Sequence, residues 1–151
     1  MSVNHDDCPQ IVEVTNEHEG INIISCEGYL YMHIKSFWRP SGFTVKRKYF
    51  TLRKETLFIT KQRGDLIFED GSDNRIDIHS DTGIFSEENL KGKYQYGIRI
   101  TNGKQSFLLS AANAEYRNAW LSTLLTVVTK KFVHQLRELG HSENFMYEYA
   151  Q

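Results

Sequence analysis

Apolar and polar residues alternate through the body of the chain, and near residue 113 the period changes to that of a helix. Gly28–Lys35 (GYLYMHIK) is rich in aromatic and aliphatic residues and predicts a strand. In Val45–Leu52 (VKRKYFTL) the alternation is strict. Val45, Arg47, Tyr49 and Thr51 point one way, and Lys46, Lys48, Phe50 and Leu52 the other. Thr56–Thr60 follows as a strand across a tight Arg53–Glu55 turn. Leu66–Phe68 reads as a short strand, and Ile76–His79 alternates again. Ile84–Lys93 reads as a longer loop with room for a helical turn. Tyr96–Thr101 and Gln105–Ser110 flank Asn102-Gly103, a strong hairpin signal. Seven strand candidates at short spacing predict a sandwich or barrel.

Asn113 is a suitable N-cap, with Glu115 in the first turn, and Gly140 is a suitable stop. At about 100° per residue, Tyr116, Trp120, Leu124 and Val127 share an arc of roughly 80°. Leu121, Leu125, Val128, Phe132, Leu136 and Leu139 form a second stripe about 120° away. One stripe is enough to pack a helix on a domain, so the second requires its own cover. The chain therefore predicts a mainly β fold, a seven-stranded antiparallel bent sandwich or barrel capped by one long C-terminal helix. Trp120 is the obvious plug for its open end. Three segments follow: an N-terminal extension over 1–26, the domain over 27–130, and a helix extension with a tail over 131–151. The apolar patches Ile11–Val14 and Ile21–Ile24 either pair as an extra strand or dock.

Composition changes this picture little, but charge placement changes it more. The 151 residues carry 18 Lys and Arg against 19 Asp and Glu, a net charge of -1, which excludes a globally basic nucleic-acid binder. Residues 1–34 have no Lys or Arg and six acids, whereas residues 35–63 have nine bases and one acid, Glu55. The basic run is either a solvated hairpin face or a docking end. No apolar run reaches the roughly 20 residues that span a bilayer. The polar, acidic start shows no secretory signal. Cys8 and Cys26 make no metal or disulfide framework, so a reduced, cytoplasmic setting is expected. Residue 2 is Ser and not Gly, so the N-myristoylation pattern is absent from the sequence as written, and Cys8 is a candidate for acylation only if it lies at a membrane.

In their order, these pieces resemble a pleckstrin-homology (PH) domain over about residues 27–130. The resemblance rests on Glu27-Gly28-Tyr29-Leu30, Lys48-Tyr49-Phe50-Thr51-Leu52, Thr56-Leu57-Phe58-Ile59 and Ile76-Asp77-Ile78. It continues through Tyr96–Ile100, Asn102-Gly103-Lys104, Phe107–Ala111, and Glu115–Trp120 with its Trp. The length is similar to that of short stand-alone PH-domain proteins. In PH domains that bind inositol lipids, a basic residue ends the first strand and a (Lys/Arg)-x-Arg pair opens the second. Here Lys46-x-Lys48 occupies the pair, with Lys where Arg is usual. Met32 stands where the first Lys is expected, leaving Lys35 as a substitute. A lysine is a point charge without the bidentate fork of arginine. The resemblance therefore implies a contact with phosphatidic acid or a phosphoinositide headgroup that discriminates little between them. Lys46 and Lys48 would be the main contacts, and Lys35 and Arg39 auxiliary ones. Phe37 and Trp38 either insert at the headgroup level or, like Phe43, pack the loop onto the barrel. The expected role is a signalling adaptor peripheral to an anionic membrane.

Catalysis is not expected, because the chain lacks G-x-x-x-x-G-K-[ST], G-x-S-x-G and H-E-x-x-H and its six histidines have no ligand spacing. No cofactor, metal or nucleic acid is implied. The alternative reading is a protein-interaction adaptor with a PH fold. Its partner surface would be the outer helix stripe, with Leu125, Phe132 and Leu136 at its centre; the other cover for that stripe is the 1–26 extension of the same chain.

Overall fold

The computed structural model describes residues 10–16, 21–36, 42–68 and 74–141. Among these residues eight strands form one sheet: β1 (Gln10–Asn16), β2 (Ile21–Lys35), β3 (Phe43–Arg53), β4 (Thr56–Thr60), β5 (Arg75–Asp77), β6 (Gly83–Glu87), β7 (Tyr96–Asn102) and β8 (Gln105–Ala111). One α-helix among the described residues, α1 (Ala114–His141), follows. The strands run in the order β5-β4-β3-β2-β8-β7-β6, every pair antiparallel, with β1 added on β2. The seven strands of that path and the terminal helix are the predicted architecture.

β2 is the hinge of the sheet. β3 takes one of its edges over residues 25–35. The other edge is shared end to end, by β1 along residues 21–27 and by β8 along residues 31–33. The apolar patches of the N-terminal extension therefore pair as an extra strand, and β2 starts earlier than the expected Gly28.

Two strand assignments change. Leu66–Phe68 is extended and has no ladder partner among the described residues; it follows the end of β4 at Thr60 and precedes β5 at Arg75. The expected loop at Ile84–Lys93 instead opens as β6, paired with β7, and only its end holds a 3-10 turn at Gly92–Tyr94. The Asn102-Gly103 signal closes a hairpin, shifted by one residue. Asn102 pairs with Gln105, so Gly103 (φ 56°) and Lys104 form the turn. This frees the Asn102 amide to bond the Asp77 carbonyl (2.7 Å) and to accept from Thr82 Oγ1 (2.5 Å), tying β7 to the β5–β6 corner.

From Cys26 on, even-numbered residues of β2 and β3 share the inward parity, and Leu30, Phe50 and Leu52 are fully buried with Leu57, Ile76, Ile98, Ile100 and Leu109. The helix packs on β2, β6, β7 and β8. Asn113 caps it, with Oδ1 accepting from the Tyr116 amide at 2.8 Å. Trp120 is fully buried as the expected plug, with Tyr116, Leu124 and Val127 on the same arc. The helix runs through Gly140 to His141. Its Lys131 donates to the Ile78 carbonyl (3.1 Å) and pairs with Glu55 (2.9 Å), fastening its middle to the β3–β4 turn.

Candidate functional site

The sandwich has two unlike ends. At one, Lys131 holds α1 against the Lys54-Glu55 turn. At the other, β2 and β3 finish on the pair Lys35–Phe43, and Ser36 N donates to Gly42 O at 2.8 Å to close the neck of the intervening loop. Gly42 takes φ +77° at this closure, a conformation that favours glycine. Arg39, Phe37 and Trp38 lie in this loop, outside the described residues.

The register places the remaining candidates. Lys48 faces Leu30 and Lys46 faces Met32 across the β2–β3 ladder. Both lysines therefore share the inward parity of Phe50, one and two steps further toward the loop. Lys48 is half-buried and Lys46 exposed. Neither has an ion-pair partner among the described residues. Met32, partly buried against the core, fills the neighbouring position on the same face. Lys35 stands on the opposite parity and pairs with Phe43, so the sheet does not bring it onto the Lys46–Lys48 face.

The outward face is built differently. The Arg47 guanidinium stacks on the Tyr29 ring at 3.7 Å, and Tyr29 meets Tyr49 edge-on at 4.9 Å. Tyr29 Oη accepts from the Arg63 amide at 3.0 Å, which pins the turn after β4 beside Arg47. Lys61 and Arg63 therefore join the loop end of the sandwich. Arg53 and Lys54 lie at the far end, in the β3–β4 turn. The basic run of the sequence is thus divided, with most of its charge at the loop end.

A further cluster flanks the β2–β8 seam. His33 Nε2 and Ser110 Oγ are 2.8 Å apart, and the imidazole packs edge-on against Phe43 and Tyr94. Burial pushes His33 below its ordinary value of 6.5, so the neutral ring is favoured. Tyr94 reaches this cluster from the 3-10 turn and also packs on Tyr31 at 5.0 Å. Sequence reading missed this cluster because its members come from β2, β3, β8 and a loop.

No group of three or more His, Cys, Asp or Glu capable of holding a metal occurs among the described residues. Cys26 is buried, and burial raises its thiol to about 12, so it is an inert core residue.

Residues 24–129 match the PH domain family. No curated protein matches the chain. Similar solved structures include "Crystal Structure of sifa and skip", at 16% identity and a TM-score of 0.50, covering 68% of this chain and 96% of that one. The DH/PH fragment of PDZRHOGEF in complex with human RhoA is similar at 16% identity and a TM-score of 0.47, covering 69% of this chain. PDZ-RhoGEF DH/PH domains with GTP-gamma-S activated RhoA give 18% identity and a TM-score of 0.48, covering 73%. The likeness takes in only 28% and 30% of those two chains. PH domains are generally non-catalytic modules that bind phospholipids or proteins. The strand path, the Trp-bearing terminal helix and the family match over residues 24–129 together place this chain in the PH domain family.

Proposed function

We propose that this chain is a PH module that docks peripherally on anionic membranes through the loop end of its sandwich. Lys46 and Lys48 would contact lipid phosphate, in the cytoplasmic setting expected from its thiols. The carrying observation is that both ammonium groups share one sheet face at that end without an ion-pair partner among the described residues. Phosphate meets them as a charge-assisted acceptor. Arg47 is held on Tyr29 and contributes field more than contact. Met32 supplies no third cation on that face. This supports low selectivity, with phosphatidic acid and monophosphoinositides bound alike.

Each cation near an anionic leaflet contributes about 1 kcal/mol. Lys46→Glu/Lys48→Glu removes two cations and adds two repelled anions, so about 2–4 kcal/mol should be lost at low salt. Co-sedimentation with vesicles of phosphatidic acid, phosphatidylserine or a phosphoinositide in phosphatidylcholine tests this. Wild-type binding should fall with salt and vanish in the double variant. Absence of wild-type binding to every anionic vesicle at low salt defeats the proposal.

A second reading has its own observation. Leu125, Phe132 and Leu136 are exposed on one side of α1, and Leu125 borders a shallow groove with Leu121, Ser122 and Thr129. This supports a protein-interaction adaptor. Phe132→Asp/Leu136→Asp would then impair function while Lys46→Glu/Lys48→Glu behaved normally.

A further inference from the structure

After β4, residues Leu66–Phe68 carry strand-forming side chains but join no strand among the described residues. The turn before them is well defined. Gln62 N donates to Asp65 Oδ2 (3.1 Å), Asp65 N donates to Gln62 O (3.2 Å), and Gly64 supplies φ +86°. The chain then runs extended through Leu66, Ile67 and Phe68. Alternation turns Ile67 toward the body, half-buried, and projects the other two outward. Leu66 is 78% exposed and Phe68 75%, more than any other large apolar side chain among the described residues. Water is a poor environment for such a pair, and two adjacent side chains of this kind on a well-formed turn indicate an apolar contact.

Their position says which contact. β4 leaves the sheet at Thr60, opposite Tyr49, so the segment emerges at the end that carries Lys46 and Lys48. The bond from Arg63 N to Tyr29 Oη fixes it there. Lys61 and Arg63, both exposed, immediately precede the apolar pair. Cations around an apolar tip complement a membrane interface, where phosphate lies above and acyl chains lie below. We infer that Leu66 and Phe68 form a wedge that enters the headgroup–acyl boundary of an anionic membrane, flanked by Lys46, Lys48, Lys61 and Arg63. This inference rests on the proposed membrane docking and adds to it a second, apolar component from a different loop.

The two components respond differently to salt. Coulombic attraction is screened, whereas burial of Leu66 and Phe68 is not. The test compares wild type, Leu66→Ser/Phe68→Ser and Lys46→Glu/Lys48→Glu on phosphatidylcholine–phosphatidylserine vesicles at low and raised salt. The serine variant changes only exposed positions, and an unchanged Tm establishes that it folds. Wild type should keep a salt-resistant fraction of its binding. The serine variant should bind about tenfold more weakly at low salt and lose that fraction. In a parallel measurement, Phe68→Trp should shift its added emission to the blue when vesicles are mixed in, read as the difference from wild type. Serine-variant binding equal to wild type, or an unshifted Phe68→Trp, overturns the wedge. If the lysine variant is lost in the same experiment, the headgroup reading stands without the wedge. Normal binding by the lysine variant with loss by the serine variant overturns the headgroup site and keeps the wedge. Absence of wild-type binding overturns both.

Discussion

Lys131 is the tie whose removal reports most directly on how the helix is held. Lys131→Met keeps the aliphatic stem and deletes the ammonium, so packing is preserved and only the polar contacts are lost. Two contacts go: the bond to the Ile78 carbonyl at 3.1 Å and the pair with Glu55 at 2.9 Å. A hydrogen bond from a charged group contributes about 1.5–3 kcal/mol. The Lys131 side chain is 28% exposed, which favours the low end of that range. Glu55 is 53% exposed, so its pair adds less than about 1 kcal/mol. The variant should lose about 2 kcal/mol, or about 4–8 °C in Tm for a domain of this size. Urea unfolding measures this as a lower midpoint at an unchanged slope. Glu55→Gln alone should cost less than half as much, because the carbonyl bond survives it. A Lys131→Met loss below about 0.5 kcal/mol would show that α1 is held by its apolar arc alone.

The remaining predictions concern the core and the titrating groups. Trp120 is fully buried, so Trp120→Phe forfeits part of its volume and should cost about 1–2 kcal/mol, well short of the 3–5 expected for Trp120→Ala; calorimetry separates the two. In a Cys8→Ser background, Cys26 should resist a thiol reagent in the native protein and react only as it unfolds, so the reaction rate follows urea concentration. The Arg99 guanidinium, 2.8 Å from Glu87, holds that carboxyl below its ordinary 4.5. A depressed carboxylate stabilises the fold above its unfolded value and loses that contribution as pH falls through the folded one. Glu87→Gln should therefore be less stable than wild type at neutral pH by up to about 1 kcal/mol, with the gap closing on acidification below 4.5; a constant gap would refute the assignment.

The parts of the fold that were legible in the sequence are those where one physical signal dominates. The strict alternation of Val45–Leu52 fixed which residues of β3 face inward, and with it the shared face of Lys46 and Lys48. The cap at Asn113 and the arc through Trp120 fixed the helix and its plug. The misreadings have equally specific causes. β6 (GIFSE) begins with a glycine and ends in polar residues, so its propensity is poor. Gly83 is there because a Cβ would collide with Thr101 Oγ1 and the Phe85 ring, a constraint that only pairing creates. Leu66–Phe68 has the alternation of a strand, but alternation records two unlike faces and not a partner edge. Parity on β2, set by the Leu30 side, placed Lys35 away from the lysine pair, which spacing along the loop did not reveal. The His33 cluster joins residues as far apart as His33 and Ser110, and no local pattern encodes that.

The tie at Lys131 also sets a geometry. β3 has eleven residues, so at about 3.3 Å per residue roughly 35 Å separate its loop end from the turn to which the helix is fastened. Beyond that turn α1 continues for ten residues, about 15 Å of rod carrying Phe132 and Leu136. With the loop end on a bilayer, the rod is presented well clear of the lipid. The sandwich then acts as a rigid stand-off, and membrane contact at one end leaves the other sterically open. Occupying one surface does not exclude the other, so the two readings of the module describe opposite ends of one bracket.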